Sequence, residues 1–327
     1  MKCARLVVTF ICALVLVVMA QRSLMADDYP SRPVTIIVPY VAGGTLDTIA
    51  RQLGNVLSKR LGQPFPVENK TGGGTVIGAN LVAKAAPDGY TLLMGSSTPL
   101  AINATLYSSL PYNAKTDLKL LALVAASPLV MVVDPASSIH SLADLVREAK
   151  ARPKSLTYAS AGIGSPHHLF MELLMSKTGI QMTHVPYRGT LPGLMDVMSG
   201  RIPLMFTDLI SGLGAMKAGK VRPIFTGTAD RLAMLPDLVS AKEAGLDDFN
   251  AASWLGVAAP GGTPLPIKAK LHDELVDIVR SPQFKAIVDK LGMTTLPSGS
   301  LDELDAFVQQ EIARWAAVVK KSGATIQ

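Results

Sequence analysis

Ala42-Gly43-Gly44-Thr45 and Ser160-Ala161-Gly162-Ile163-Gly164-Ser165 place glycines and hydroxyls directly ahead of amphipathic runs. Glycine adopts backbone angles that other residues avoid, so such corners turn N–H groups outward, and a helix starting there adds the positive end of its dipole. The chemistry this suits is the holding of an anion. Glycines at either corner alone also serve simply to turn the chain; two corners in one sequence favour a site. Asp47, just after the first corner, either offsets the helix dipole or accepts from a ligand ammonium or hydroxyl. Arg188 either pairs with a distal carboxylate, through charge-assisted hydrogen bonds of roughly 1.5–3 kcal/mol each, or is an ordinary solvated arginine. Thr98 and Asp208 close two further apolar runs in polar ends, Gly95-Ser96-Ser97-Thr98 and Thr207-Asp208, and Tyr40 stands beside the first corner.

A hydrolytic set can be drawn from Ser165, His167, His168 and Asp208. Ser165 lacks the Gly-x-Ser-x-Gly context of a nucleophile elbow, and a serine and a histidine two or three apart at a helix start seldom face each other. His168 reads more simply as a packed or capping side chain. Gly162-Ile163-Gly164 opens like a dinucleotide fingerprint, but His167 stands where the third glycine belongs and the acidic residue after the next strand is missing. His167, His168 and His184 have no recurring zinc spacing. The sequence therefore predicts no catalytic residue, no metal and no cofactor.

The elements that must position the corners follow from hydrophobic periodicity. Val34 to Val38 is β-branched and suits a strand covered on both faces, and Pro39 ends its ladder. Thr45 reads as the N-cap of a helix whose Leu46, Ile49, Ala50, Leu53, Val56 and Leu57 form one apolar stripe. Ser155–Ser160 reads as the strand that enters the second corner, with Ser165 as cap and Pro166 at the first helical position. Leu118 to Val133, interrupted by Ser127-Pro128, predicts two strands with a crossing between domains, and Ala251–Ala259 predicts the return. Strands alternating with amphipathic helices indicate α/β domains with mainly parallel sheets.

Of the 327 residues, the first stretch reads as a leader: Lys2 and Arg5 precede an apolar run from Leu6 to Ala20, with cleavage near Ala26. The run is shorter than the ~20 apolar residues of a spanning helix. Both cysteines, Cys3 and Cys12, fall within it, which leaves the mature chain without a disulfide, a thiolate ligand or a cysteine nucleophile. The formal charge of +6 loses Lys2, Arg5 and Arg22 with the leader and becomes +3, and no basic run carries interleaved aromatics, so nucleic-acid binding is not indicated. The remaining length exceeds what one core usually serves, and two domains are expected.

Pro39-Tyr-Val-Ala-Gly-Gly-Thr-Leu-Asp-Thr-Ile-Ala-Arg51, Pro87-Asp-Gly-Tyr90, Tyr158-Ala-Ser-Ala-Gly-Ile-Gly-Ser165, His184-Val-Pro-Tyr-Arg-Gly189 and Trp254-Leu-Gly-Val-Ala-Ala-Pro-Gly-Gly-Thr-Pro264 together make the chain resemble the periplasmic solute receptors of tripartite tricarboxylate transporters, the Bug family. The resemblance covers essentially the whole mature sequence. It implies a type II periplasmic binding protein fold: two α/β lobes, residues 27–127 with 253–327 and residues 128–252, joined by two crossings and closing on a small carboxylate. It also implies that main-chain amides and ordered waters at the glycine corners hold the carboxylate, and water bridging loses little enthalpy relative to direct contact. In amino-acid-binding relatives the acid at Asp47 accompanies the ligand's amino group. The chain departs from the family pattern at Tyr40-Val41, Thr207-Asp208 and Thr226-Gly227-Thr228, so no relative's ligand transfers directly. The resulting expectation is a monomeric, non-enzymatic receptor in the periplasm that captures an organic acid, a carboxylate or an amino acid, for delivery to membrane permease subunits. A receptor reporting to a sensor system and a secreted serine hydrolase are the other readings.

Overall fold

The computed structural model describes residues 29–326; the predicted leader and both cysteines lie outside the described residues. From the N-terminus, β1 (Thr35–Val38) enters the first glycine corner and α1 (Thr45–Leu61) leaves it; β2 (Val67–Asn69), α2 (Val76–Ala83) and β3 (Thr91–Ser96) follow. A one-turn π-helix (Thr98–Ile102) runs into the short α3 (Asn103–Leu106), and β4 (Leu118–Val133) then crosses the molecule. The second half contains α4 (Leu142–Ala151), β5 (Thr157–Ser160), α5 (Pro166–Thr178), β6 (Thr183–Pro186), α6 (Thr190–Met198), β7 (Leu204–Asp208), α7 (Leu209–Lys217) and β8 (Arg222–Thr226). The chain returns through β9 (Ala252–Pro260) and ends in α8 (Leu265–Arg280), α9 (Pro282–Lys290), β10 (Thr294–Thr295) and α10 (Leu301–Ser322).

The strands run in the order β2-β1-β3-β9-β4-β7-β5-β6, with β8 and β10 also on β4. Pairing is parallel on the two flanks, β2-β1-β3 and β7-β5-β6, and antiparallel wherever β4 or β9 takes part. The sheets are thus mixed rather than mainly parallel, because the two strands that cross between the halves run against their neighbours.

The expected pair of strands over Leu118–Val133 is one 16-residue strand. It pairs with β9 as far as Pro128↔Ala252, and from Leu129 onward with β7. Pro128 has no N–H to contribute to a ladder. It sits where one partner hands over to the next, so the strand passes through it. The β4 residues are buried throughout except at Lys119, Ala126 and Ser127.

Each half has its own apolar packing. Ile36, Val38, Leu92, Leu121 and Leu255 meet Ile49 and Leu53 of α1 and Leu271 and Leu275 of α8, all essentially without solvent exposure. In the other half Val130, Val132, Ala159 and Met205 meet Leu194 and Val197 of α6. Full burial of each such aliphatic side chain contributes roughly 1.5–3 kcal/mol. The packing fixes where both glycine corners stand, because each corner continues directly from a buried strand.

A candidate carboxylate cleft between the two halves

Both corners open onto one cavity of about 470 Å³. Its wall includes Tyr40, Gly44, Thr45, Thr98 and Asn103 from the first half and Ala161, Gly164, Ser165, His167, Thr190 and Asp208 from the second. Leu46, Leu106, Tyr107, Ile163, Leu255 and Met293 make much of the remaining surface apolar. Val41 and Ile163, each more than half exposed, stand at the mouth from opposite sides. Ser127 and Ser253, paired in register between β4 and β9, form part of the floor where the chain crosses. Among the described residues no lysine or arginine is on the wall, and Asp208 is its one side-chain carboxylate.

The first corner is built differently from the expectation. Gly44, not Thr45, is the N-cap, and Thr45 is the first helical residue. Asp47 is buried and spent on the protein itself: its carboxylate accepts from the Gly43 amide at 2.9 Å, the Arg51 Nε at 3.0 Å and the Asn69 Nδ2 at 2.9 Å. Neither Asp47 nor Gly43 is on the cavity wall, and Ala42 is exposed outside it. Asp47 therefore organises the corner instead of facing a ligand. The Thr45 and Leu46 amides, in the first turn, have no helical carbonyl behind them and remain at the mouth of α1.

Arg51 above all, helped by the Gly43 amide and Asn69, draws the Asp47 carboxyl down to about 2 against the opposing effect of burial. The associated stability, on the order of 2 kcal/mol, is complete above the unfolded value of 3.8 and is lost as pH falls toward 2. Asp47→Asn is accordingly expected to lower Tm by several degrees at neutral pH. It should also remove part of the acid-limb slope between pH 4 and 2, and thermal melts of both proteins across that range check this.

At the second corner most amides are committed internally. Gly162 N donates to Ser160 Oγ at 3.0 Å, Gly164 N to His168 Nδ1 at 3.2 Å and Ser165 N to Gly162 O at 3.2 Å, which leaves those of Ala161 and Ile163. Ser160 and Gly162 thus shape the loop from behind the wall. The Ser165 hydroxyl donates to Gly162 O at 2.7 Å and caps the His168 amide at 3.4 Å. No imidazole pairs with it among the described residues, so the hydrolytic arrangement has no nucleophile-base contact. Arg188 is exposed and off the wall, so the structure does not place it to meet a distal carboxylate.

Behind this corner the rings of His168 and His184 stack with centroids 4.0 Å apart, and Tyr158 stacks on His184 at 5.0 Å. His184 Nε2 lies 2.6 Å from Ser160 Oγ, so each histidine steadies one end of the loop. Burial pulls the His168 imidazole down to about 3, with His184 adding to the effect, and pulls His184 down to about 4.

Across the cavity, Tyr40 and Ser96 share a 2.6 Å hydrogen bond, and the Thr98 amide donates to Ser96 Oγ at 3.1 Å. Burial raises the Tyr40 phenol; the Ser96 and Thr98 hydroxyls work against the rise, and the Asp208 charge from the opposite half adds to it. Asp208 Oδ2 lies 3.1 Å from His167 Nε2 and accepts from Thr190 Oγ1 at 3.0 Å. Burial by itself would raise the Asp208 carboxyl, but the charge and hydrogen bond of His167 together with Thr190 outweigh it and hold Asp208 below its ordinary value.

Asn103, Thr190, Tyr107 and Ile326 were not singled out in the sequence. The Gly-Thr start of α6 repeats the corner pattern and was a usable signal for Thr190. Ile326 reaches the wall by pairing with Leu106 and Ser108, far away in sequence, and carried no local signal.

Residues 49–324 match the tripartite tricarboxylate transporter family receptor model. Protein BugT of Bordetella pertussis is 36% identical over 305 residues, which is 92% of this chain and 93% of that protein. The solved structure of R. palustris Rpa4515 with adipate is 35% identical, covers 90% of this chain and 99% of its own, and superposes with a TM-score of 0.80. MatC from Rhodopseudomonas palustris with bound malate is 32% identical, covers 89% of this chain and 100% of its own, and superposes with a TM-score of 0.76. The two-lobed α/β fold and this near full-length similarity agree: the chain belongs to the tripartite tricarboxylate transporter receptor family.

Proposed function

We propose that the protein is a non-enzymatic periplasmic receptor that captures one small organic acid in this cavity and delivers it to membrane permease subunits. In this reading residues 1–26 are a removed leader, residues 27–127 with 253–327 form one lobe and 128–252 the other, and the receptor works as a monomer. The observation that carries it is the meeting of two helix-start corners, one from each half, in a single cavity whose uncommitted backbone donors suit a carboxylate. Adipate and malate in the similar structures support the class of ligand. A guest touching both halves stabilises the closed arrangement only through its differential affinity for it.

A thermal-shift screen of mature protein against adipate, malate, amino acids, hydroxy acids and aromatic acids tests this. A ligand at a hundred times its Kd stabilises the native state by about 2.7 kcal/mol, which corresponds to a rise of roughly 5 °C or more. The reading predicts such a rise for at least one acid and none for its amide. A uniform absence of shift contradicts it.

A further inference from the structure

Among the wall residues are two nearly inaccessible side chains, each with a polar atom that has no partner. Asn103 Oδ1 and His167 Nδ1 are both in this state, and the residues are 0% and 6% exposed. The orientation of Asn103 is fixed because its Nδ2 donates to Gly74 O at 3.1 Å and to Thr75 Oγ1 at 3.2 Å, so the atom left over is an acceptor. His167 Nε2 faces Asp208 Oδ2 at 3.1 Å, and Nδ1, on the other side of the ring, is left unpaired. Leaving buried polar groups unpaired costs free energy, and in a binding cavity a ligand relieves that cost. Asp208 adds a charged acceptor, and no lysine or arginine among the described wall residues offsets it. Asp47, the acid at the first corner, is already consumed by Gly43, Arg51 and Asn69.

We infer that Asp208, His167 and Asn103 form a donor-seeking subsite that selects organic acids bearing a single carboxylate and, away from it, an amino or hydroxyl group, and that disfavours a second carboxylate. The inference rests on the carboxylate-receptor reading and narrows it. A second carboxylate would meet the Asp208 charge with no lysine or arginine among the described wall residues to receive it, and like charges brought together in a largely apolar cavity repel strongly. An ammonium or a hydroxyl instead donates to the waiting acceptors, and sites built to hydrogen-bond a ligand group discriminate sharply against analogues that lack it.

The test uses mature protein at pH 8 and calorimetry with two matched series: hexanoate, 6-hydroxyhexanoate, 6-aminohexanoate and adipate, and their four-carbon counterparts ending in succinate. The expected result is that a hydroxy or amino acid binds at least tenfold more tightly than the dicarboxylate of equal length. In Asp208→Asn the dicarboxylate should gain at least tenfold relative to the amino acid. Preference for the amino member identifies an ammonium, and preference for the hydroxy member identifies a neutral donor. Dicarboxylate binding as tight as that of the donor-bearing acids, or a preference unchanged in Asp208→Asn, overturns the inference while leaving the carboxylate reading intact. Failure of every acid in both series and in the thermal screen defeats the receptor reading and this inference with it.

Discussion

Acidification from pH 6.5 to 5 is expected to destabilise the protein steeply, by up to about 4 kcal/mol from the His168–His184 pair alone. The unfolded rings take up protons near their ordinary value of 6.5, whereas the folded rings resist until about 4 for His184 and about 3 for His168. Between those values the unfolded state binds more protons, so stability falls as pH falls, by as much as ~1.4 kcal/mol per pH unit for each ring. Geometry explains the resistance. His168 Nδ1 already accepts the Gly164 amide, so a proton there must displace that bond, and the resulting cation would face His184 across a 4.0 Å stack. Glu172, raised by burial, acts in the opposite direction at lower pH and offsets part of the loss, and the Tyr158 hydroxyl donates to it at 2.7 Å. Tm should therefore drop by roughly ten degrees between pH 7 and 5, and His184→Gln should flatten that slope by about half. An unchanged slope in the variant would show that the pair does not set acid sensitivity.

Gly164→Val should weaken acid binding by ten- to a hundredfold while each half stays folded. Gly164 has φ of +75°, where a β-branched residue is strained, and a Cβ placed on it would collide with Leu106 Cδ2. Leu106 comes from the first half and Gly164 from the second, so the added bulk wedges the cleft where the halves meet. The predicted loss corresponds to about 1.4–2.7 kcal/mol. Gly164→Ala combined with Leu106→Ala restores space without restoring the backbone preference, and should recover part of the affinity lost in Gly164→Ala. Calorimetry on the three variants measures this; no recovery would assign the whole effect to local strain.

The corners were legible because their information is local. A β-branched run, glycine and a 3.6-residue stripe lie within eighteen residues at Val34–Arg51, and the same grammar recurs at Ser155–Leu174. Asp47 was legible as a helix-start acid, but its partner Asn69 stands 22 residues away on β2, so its commitment to the protein could not be read from spacing. Ser127-Pro128 looked like a break because a proline normally interrupts a ladder; only the register shows that β9 ends and β7 begins at that point. Asn103 and His167 acquire their significance from what they fail to contact, and the sequence records no such thing.

The most direct test of capture between the halves is the amide spectrum of labelled mature protein, titrated with whichever acid gives the largest thermal shift. The account predicts that Thr45 and Leu46 on one side and Ala161 and Ile163 on the other shift together with one common affinity, while Leu173, Lys177 and Arg314, which line a separate cavity sharing no wall residue with this one, stay still. Shifts confined to a single corner, or to that separate cavity, would contradict it.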